Sequence, residues 1–340
     1  MSFKIHNRRY TGSKYKISNW IKGILEKECN DAISFCDLFA GTGVVTDALI
    51  DKYSTIYMND FLFSNEIIYK AFYKKEDYDL AKIIQFSQKY KNLDPNTLDD
   101  NYVSINFGNK FFEYNDSKII GYIREDIEKS KEILNDREYS ILIASLLYSF
   151  DRCANTVGHY EAYRKNVQLK SEFKFELINP VIKSSQDKRE IVITRKDSNE
   201  LAKEISADLV YIDPPYSSRQ YSRFYHVLET IVKWNKPELF GEALKPVPEN
   251  MSNYCSSKAI DSFNELIVDL KCKYIVVSYN NTYNSKSSSS KNKMALDDIL
   301  SVLKQKGETK VFSINHQAFN AGKTELLNHQ ELLFVTKVGK

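Results

Sequence analysis

The run Asp37-Leu38-Phe39-Ala40-Gly41-Thr42-Gly43 restricts the possible folds more than any other stretch of the chain. It continues the apolar segment Ile33-Ser34-Phe35-Cys36, which reads as a strand, and it leads at once into a helical pattern over residues 44–53. Thr55-Ile56-Tyr57-Met58 reads as a second strand, closed by Asn59-Asp60. Strand, glycine turn, helix and strand in immediate succession make a βαβ unit, the start of a doubly wound parallel sheet. Gly41 and Gly43 let the backbone approach a ligand closely. The spacing is not GxGxxG, which disfavours a pyrophosphate cradle. Asp60 stands at the end of the second strand, where such folds place a carboxylate for ribose hydroxyls.

Strand signals return at Glu190–Thr194, Leu209–Ile212, 274–278, 310–314 and 331–337. The last two are joined by a short Asn/Gly-containing connection with no room for a crossover helix, so they should pair antiparallel. A helix is expected over residues 13–27, with Ile17, Trp20, Ile21, Ile24 and Leu25 on one face. Between residues 64 and 188 the pattern is helical, with helices expected at 65–73, 80–90, 118–134 and 139–153. The expected architecture is an α/β fold: a doubly wound, mostly parallel Rossmann-like sheet with an antiparallel last strand and a mostly helical insertion. Residues 1–63 and 189–340 would form the sheet domain and 64–188 the insertion. Residues 285–293 are Ser/Lys-rich and read as a mobile loop.

Composition narrows the setting. Hydrophobic residues make up 42% and charged residues 27%, the mix of an ordinary globular protein. The first residues lack the apolar stretch of a secretory signal, and the run 141–147 is too short to span a bilayer. Five cysteines without a CxxC pair suggest neither a disulfide framework nor a zinc site, so a reducing cytoplasm is expected and no metal. The net charge of +3 says little, but residues 1–30 carry seven basic side chains against two acidic ones. Residues 160–196 carry nine against five. Such clusters suit either a phosphate-facing surface or solvated helix faces.

Chemistry concentrates at Asp213-Pro214-Pro215-Tyr216, directly after an apolar strand and so at the carboxyl edge of the sheet. Two prolines donate no N–H and leave the preceding carbonyls free. A carboxylate and a main-chain carbonyl can together accept both hydrogens of an –NH2 group, and Tyr216 offers a flat face for a base. Two acceptors favour a pyramidal amine whose lone pair can attack a sulfonium methyl, and Asp213 would stabilise the positive charge that develops.

Arg9-Tyr10-Thr11-Gly12-Ser13-Lys14, the Asp37–Gly43 run, Asn59-Asp60, Asp213–Tyr216 and Ser278-Tyr279-Asn280-Asn281 together resemble the ordered motifs of the alpha-group, Dam-like adenine-N6 DNA methyltransferases. Ser217 to Tyr221 and His226 to Thr230 are similar in flavour to the methylases of FokI-type restriction-modification systems. The resemblance implies a bacterial or phage-encoded methyltransferase that uses S-adenosylmethionine and flips an adenine out of double-stranded DNA. A cognate restriction endonuclease is a possible partner.

The resemblance also implies residue roles. Tyr10 and Lys14 would meet the methionine end of the cofactor, with Lys14 pairing its carboxylate. Asp37, Phe39, Gly41 and Gly43 would line the methionine and ribose, and Asp60 would take the ribose hydroxyls. Asp197 falls where the family has an acid near the cofactor adenine, although no family pattern surrounds it. Ile212 would pack beneath the site, while Asp213, Pro214 and Tyr216 would hold the flipped base. Arg219, Gln220, Tyr221 and Arg223 are candidates for DNA contact, since Arg and Gln can pair with base edges; one of them could equally pair internally. Residues 151–164 mix Gly, aromatic, His and Arg residues suited to target recognition, or form an ordinary helix-to-loop junction. His159 and His226 are assigned no catalytic role. Lys286, Lys291 and Lys293 could reach phosphates, but a solvated loop is the favoured reading.

Two alternatives remain. Cytosine-N4 methylation uses the same chemistry, but its enzymes more often have Ser in the place of Asp213. A DNA-binding module with a decayed site should have lost some of Asp213, Tyr216, Gly41 and Gly43. Cytosine-C5 chemistry needs a Pro-Cys pair, which does not occur.

Overall fold

The computed structural model describes residues 2–281, 291–315 and 329–339. Strands β1 (Ser34–Asp37), β2 (Thr55–Asn59), β3 (Glu190–Thr194), β4 (Leu209–Ile212), β5 (Tyr274–Asn280), β6 (Gly307–Asn315) and β7 (Gln330–Val338) form one sheet. Its order is β3-β2-β1-β4-β5-β7-β6. The first five strands pair in parallel, and β7 runs antiparallel to both β5 and β6. The order reverses between β1 and β4, so the turns after these two strands lie side by side, the usual ligand position in an open α/β sheet.

In β4 and β5 residues of both parities are buried, as expected where helices cover both faces. One face carries Cys36, Val210, Ile212, Ile275 and Val277, which pack with Leu201, Phe263, Leu266, Ile299 and Leu303. These come from the helices Ser198–Glu204, Ala259–Asp269 and Leu296–Lys304. Each such aliphatic or aromatic side chain contributes roughly 1.5–3 kcal/mol on full burial. Ile212 is fully buried beneath the Asp213 turn. β6 alternates in exposure, as an edge strand does.

The chain divides into two compact units. The sheet unit comprises residues 12–61, 188–221 and 250–340. The helical unit comprises 1–11, 62–187 and 222–249, and includes the helices Phe63–Tyr73, Leu80–Lys91, Tyr102–Phe107, Tyr114–Lys129, Asp136–Cys153 and His226–Lys233. Residues 2–11 and 222–249, grouped with the sheet by sequence, thus pack with the helices instead. Hydrogen bonding explains it. Phe3 N donates to Leu177 O at 3.0 Å, and Asn179 N donates to Phe3 O at 2.8 Å. Glu229 accepts from the Phe63 and Ser64 amides at 3.0 and 2.8 Å, satisfying orphan donors at a helix N-terminus. The buried Arg124 donates to the last carbonyls of the His226–Lys233 helix, Ile231 O and Val232 O, at 2.8 and 3.0 Å.

The helix expected from residue 13 begins as the 3-10 turn Tyr15–Ile17 and becomes α-helical at Ser18 (Ser18–Glu28). The helix after the glycine turn is Val44–Leu49, shorter than the pattern suggests. Among the described residues no helix is long and apolar enough to cross a membrane.

Candidate active site

The turn after β1 is closed by its own polar groups. Gly41 and Gly43 adopt left-handed conformations, with φ of 54° and 75°. Gly43 caps the Val44–Leu49 helix, and Asp60 Oδ2 accepts from the Gly41 amide at 2.9 Å. Asn59 ties three strand ends together. Its Nδ2 donates to Leu38 O and Lys196 O at 3.1 and 3.0 Å, and its Oδ1 accepts from Thr194 Oγ1 and Lys196 N at 2.9 and 3.0 Å. Phe39 meets Tyr254 edge-on with ring centroids 5.2 Å apart. Asp197 caps the Ser198–Glu204 helix, accepting from Asn199 N at 2.9 Å.

Asp37 is buried, and its Oδ2 accepts from Thr46 Oγ1 at 2.9 Å. Among the described residues its Oδ1 takes no hydrogen bond. Burial pushes its pKa up to about 8, with Asp213 and Asp60 adding repulsion against the Thr46 bond. A buried acceptor left open in this way is costly unless something arrives to use it.

The turn after β4 is arranged differently. Tyr216 Oη donates to Asp213 Oδ1 at 2.5 Å and lies 3.4 Å from Ser278 Oγ on β5. The Tyr216 carbonyl accepts from Lys293 N at 2.8 Å and from Tyr279 Oη at 3.3 Å. Its ring lies 4.4 Å from that of Tyr279. Lys14 reaches this turn from the segment before the Ser18–Glu28 helix. Its Nζ is 3.2 Å from Asp213 Oδ1, 3.6 Å from Glu331 Oε2 and 4.8 Å from the Tyr216 ring centroid. Gly12, at φ 82°, supports the approach: a Cβ there would come within 3.2 Å of Tyr221 Oη. Burial raises the Asp213 pKa while Lys14 and Tyr216 pull it down, leaving it above the ordinary aspartate value. Burial would lower the Lys14 ammonium, yet Asp213 and Glu331 hold it above the ordinary lysine value.

The structure therefore brings together Lys14, Asp213 and Tyr216 in one cluster. Asp37, Gly41, Gly43 and Asp60 gather around the neighbouring turn, beside Phe39. Pro214 is buried between the strand and Tyr216. Glu331 in β7 was not anticipated; the one signal for it is an acid heading the apolar run Leu332-Leu333-Phe334-Val335.

The remaining candidates are dispersed. Tyr10 belongs to the helical unit, where it stacks on Tyr225 at 4.9 Å and 7° with the Arg8 guanidinium 5.2 Å from its centroid. Gln220 pairs internally through both ends of its amide, donating to Ser252 O at 3.0 Å and accepting from Ser252 N at 2.8 Å. Arg219 accepts from Cys255 Sγ at 3.3 Å through its carbonyl, and Tyr221 opens the short helix Tyr221–Phe224. Arg223 Nη1 donates to Pro246 O at 2.6 Å. His226 lies between the Arg223 and Ala243 carbonyls, and burial lowers its pKa to about 4. His159 stacks on Phe224 at 4.4 Å. Lys291 is exposed, whereas Lys286 and residues 287–290 lie outside the described residues.

Comparison with known proteins adds an independent line. The family described as D12 class N6 adenine-specific DNA methyltransferase matches residues 10–292. Modification methylase LlaI of Lactococcus lactis subsp. lactis is 34% identical over 295 residues, 80% of this chain and 46% of that protein. Type II methyltransferase M.NlaIII of Neisseria lactamica is 30% identical over 331 residues, 94% of this chain and 95% of that one. Type II methyltransferase M.FokI of Planomicrobium okeanokoites is 28% identical over 334 residues, 93% of this chain and 50% of that one. The chain thus spans about half the length of the LlaI and FokI enzymes and nearly all of the NlaIII enzyme.

Proposed function

The chain belongs to the D12 class of N6 adenine-specific DNA methyltransferases, and from that premise we propose that it methylates the N6 amine of an adenine within a short sequence of double-stranded DNA, using S-adenosylmethionine. The observation that carries this reading is the Asp213 carboxylate at the end of β4. Its Oδ1 already gathers a hydroxyl at 2.5 Å and an ammonium at 3.2 Å, as an acceptor of amine hydrogens would.

The residues around the first turn fit the proposed cofactor. Asp37 Oδ1 is a buried acceptor without a donor among the described residues, and the left-handed glycines hold the neighbouring backbone without Cβ atoms. Asp37, Phe39, Gly41 and Gly43 would hold the methionine and ribose, Asp60 the ribose hydroxyls, and Asp197 the region of the adenine. Tyr10 and Lys14 are proposed for the methionine end; for Lys14 this means leaving Asp213. When bound, S-adenosylmethionine supplies an electrophilic sulfonium methyl.

This chain's residues prepare the amine. Asp213 accepts one N6 hydrogen and a main-chain carbonyl of the Asp-Pro-Pro turn accepts the other, which localises the nitrogen lone pair. An amine that accepts the methyl group would carry positive charge on nitrogen, which the Asp213 carboxylate would stabilise and whose departing proton it would take. Tyr216 stacks on the base and, with Pro214, holds it outside the helix. Arg219, Gln220, Tyr221 and Arg223 are proposed to touch DNA beside the flipped base. Gln220 and Arg223 would first exchange their bonds to Ser252 and Pro246. Residues 64–188, and 151–164 within them, are proposed as the target-recognition region. The names of the relatives, modification methylase and Type II methyltransferase, support a modification role, proposed to belong to a bacterial or phage restriction-modification system in which a cognate endonuclease is a possible partner.

Incubation with methyl-labelled S-adenosylmethionine and duplex DNA tests the reading. Label recovered as N6-methyladenine is expected. Label on cytosine N4 would make the chain a cytosine enzyme, and intact DNA binding with no transfer would make it a binding module.

A further inference from the structure

The antiparallel pairing of β7 with β5 brings a carboxylate to the Asp213 turn from far along the chain. Glu331 lies opposite Asn280 in the register and is only 5% exposed. Its Oε2 is 3.6 Å from Lys14 Nζ and takes no hydrogen bond among the described residues, and its Oε1 lies 3.9 Å from His329 Nε2. Burying a carboxylate is expensive, and here the ammonium that could offset it is shared with Asp213.

Lys14 itself holds a telling position. Its Nζ sits 3.2 Å from Asp213 Oδ1 and 4.8 Å from the Tyr216 ring centroid. Those are the two side chains proposed for a flipped adenine, Asp213 for its amine and Tyr216 for its ring. A base amine that takes Asp213 Oδ1 must displace Lys14, and a buried ammonium yields one counter-charge only where another is at hand. Glu331 is the second counter-charge that the chain itself supplies, at hand whether or not the cofactor is bound.

We propose that Glu331 is a positioning residue for methyl transfer, drawing the Lys14 ammonium off Asp213 so that the Asp213 carboxylate is open to the incoming amine. This rests on reading Asp213 as the amine-accepting carboxylate. Among the described residues, the charged and titratable groups facing Asp213 are Lys14, Tyr216, Glu331, Tyr211 and Asp37. Those facing Glu331 are Lys14, His329, Asp213, Tyr211 and Tyr216. Glu331 raises the Asp213 pKa and Lys14 lowers it, so removing either should move the acid limb of activity in opposite directions.

The test is steady-state methylation of duplex DNA by the full chain across about pH 5 to 9. Glu331→Gln should lower kcat/KM for DNA about tenfold, leave KM for S-adenosylmethionine within about twofold, and move the acid limb down by about one pH unit. Lys14→Met should move the limb up, and adding Glu331→Gln to Lys14→Met should bring it back. That pair keeps the test decisive if the single Glu331 variant does not fold. A Glu331→Gln enzyme slowed by one factor at every pH has lost only structure, and that result overturns the proposal, as would an unchanged rate and limb. A wild-type chain that transfers no methyl group overturns the reading of Asp213 and the proposal with it, whereas an active wild type with unmoved limbs overturns the proposal alone.

Discussion

The turns at the ends of β1 and β4 are neighbours in the sheet, and each presents an aspartate, yet they keep their carboxylates in opposite conditions. Asp37 is half answered, with Thr46 on one oxygen and no donor among the described residues on the other. Asp213 is answered by its own fold, with Tyr216 and Lys14 on a single oxygen. The open carboxylate suits a ligand that resides in the site and completes it. The self-paired carboxylate suits a visitor that must displace something, which makes entry selective. The contrast teaches that residue type and strand position alone do not give a carboxylate its role; the donors supplied by the rest of the sheet do.

The largest effect expected of this contrast is at the second turn. Asp213→Ala should reduce methyl transfer by roughly a thousandfold or more, with cofactor affinity by titration calorimetry nearly unchanged. Retained turnover would refute the assignment.

Next comes the first turn, where the effect should fall on binding. Asp37→Asn should weaken cofactor binding roughly ten- to a hundredfold, the scale of a hydrogen bond to a charged group. It should also change stability in the free protein. Because the folded pKa of Asp37 is raised to about 8, its protonated form favours the fold at acid pH, and that contribution is lost as pH rises from the ordinary aspartate range through about 8. Thermal unfolding of Asp37→Asn against pH should therefore lack this decline. If the variant keeps the wild-type pH slope, Asp37 is not the buried acid described here.

The smallest effect separates the two roles proposed for Tyr216. Tyr216→Phe keeps the ring and loses the donor to Asp213 Oδ1, so kcat should fall about three- to tenfold while KM for DNA changes little. Tyr216→Ala should raise KM for DNA as well. Equal behaviour of the two variants would mean that the ring does not hold the base.

Both turns were legible in the sequence because local chemistry determines them. Apolar strands end in glycines that reach left-handed φ, or in prolines that cannot continue a ladder, and Asp60 and Tyr216 fall beside them. Glu331 was not legible, because its place depends on the register of β7 against β5, about which no nearby residue carries information. The grouping of residues 2–11 and 222–249 was hidden for the same reason: it rests on contacts such as Glu229 to the Phe63 and Ser64 amides, 166 and 165 residues apart in the chain. Gln220 was legible as a residue with two hydrogen-bonding ends, but not as one that spends both on Ser252. The sheet itself, including the antiparallel last pair, followed from strand patterns and the length of the connections.

Adenine methylation by the Asp213 turn is read most directly by base-modification sequencing of DNA from a methylation-free host expressing the chain. N6-methyladenine is expected at one short sequence throughout the genome, lost on Asp213→Ala. Unmodified DNA from a host making folded protein, or methyl groups found on cytosine, would contradict it.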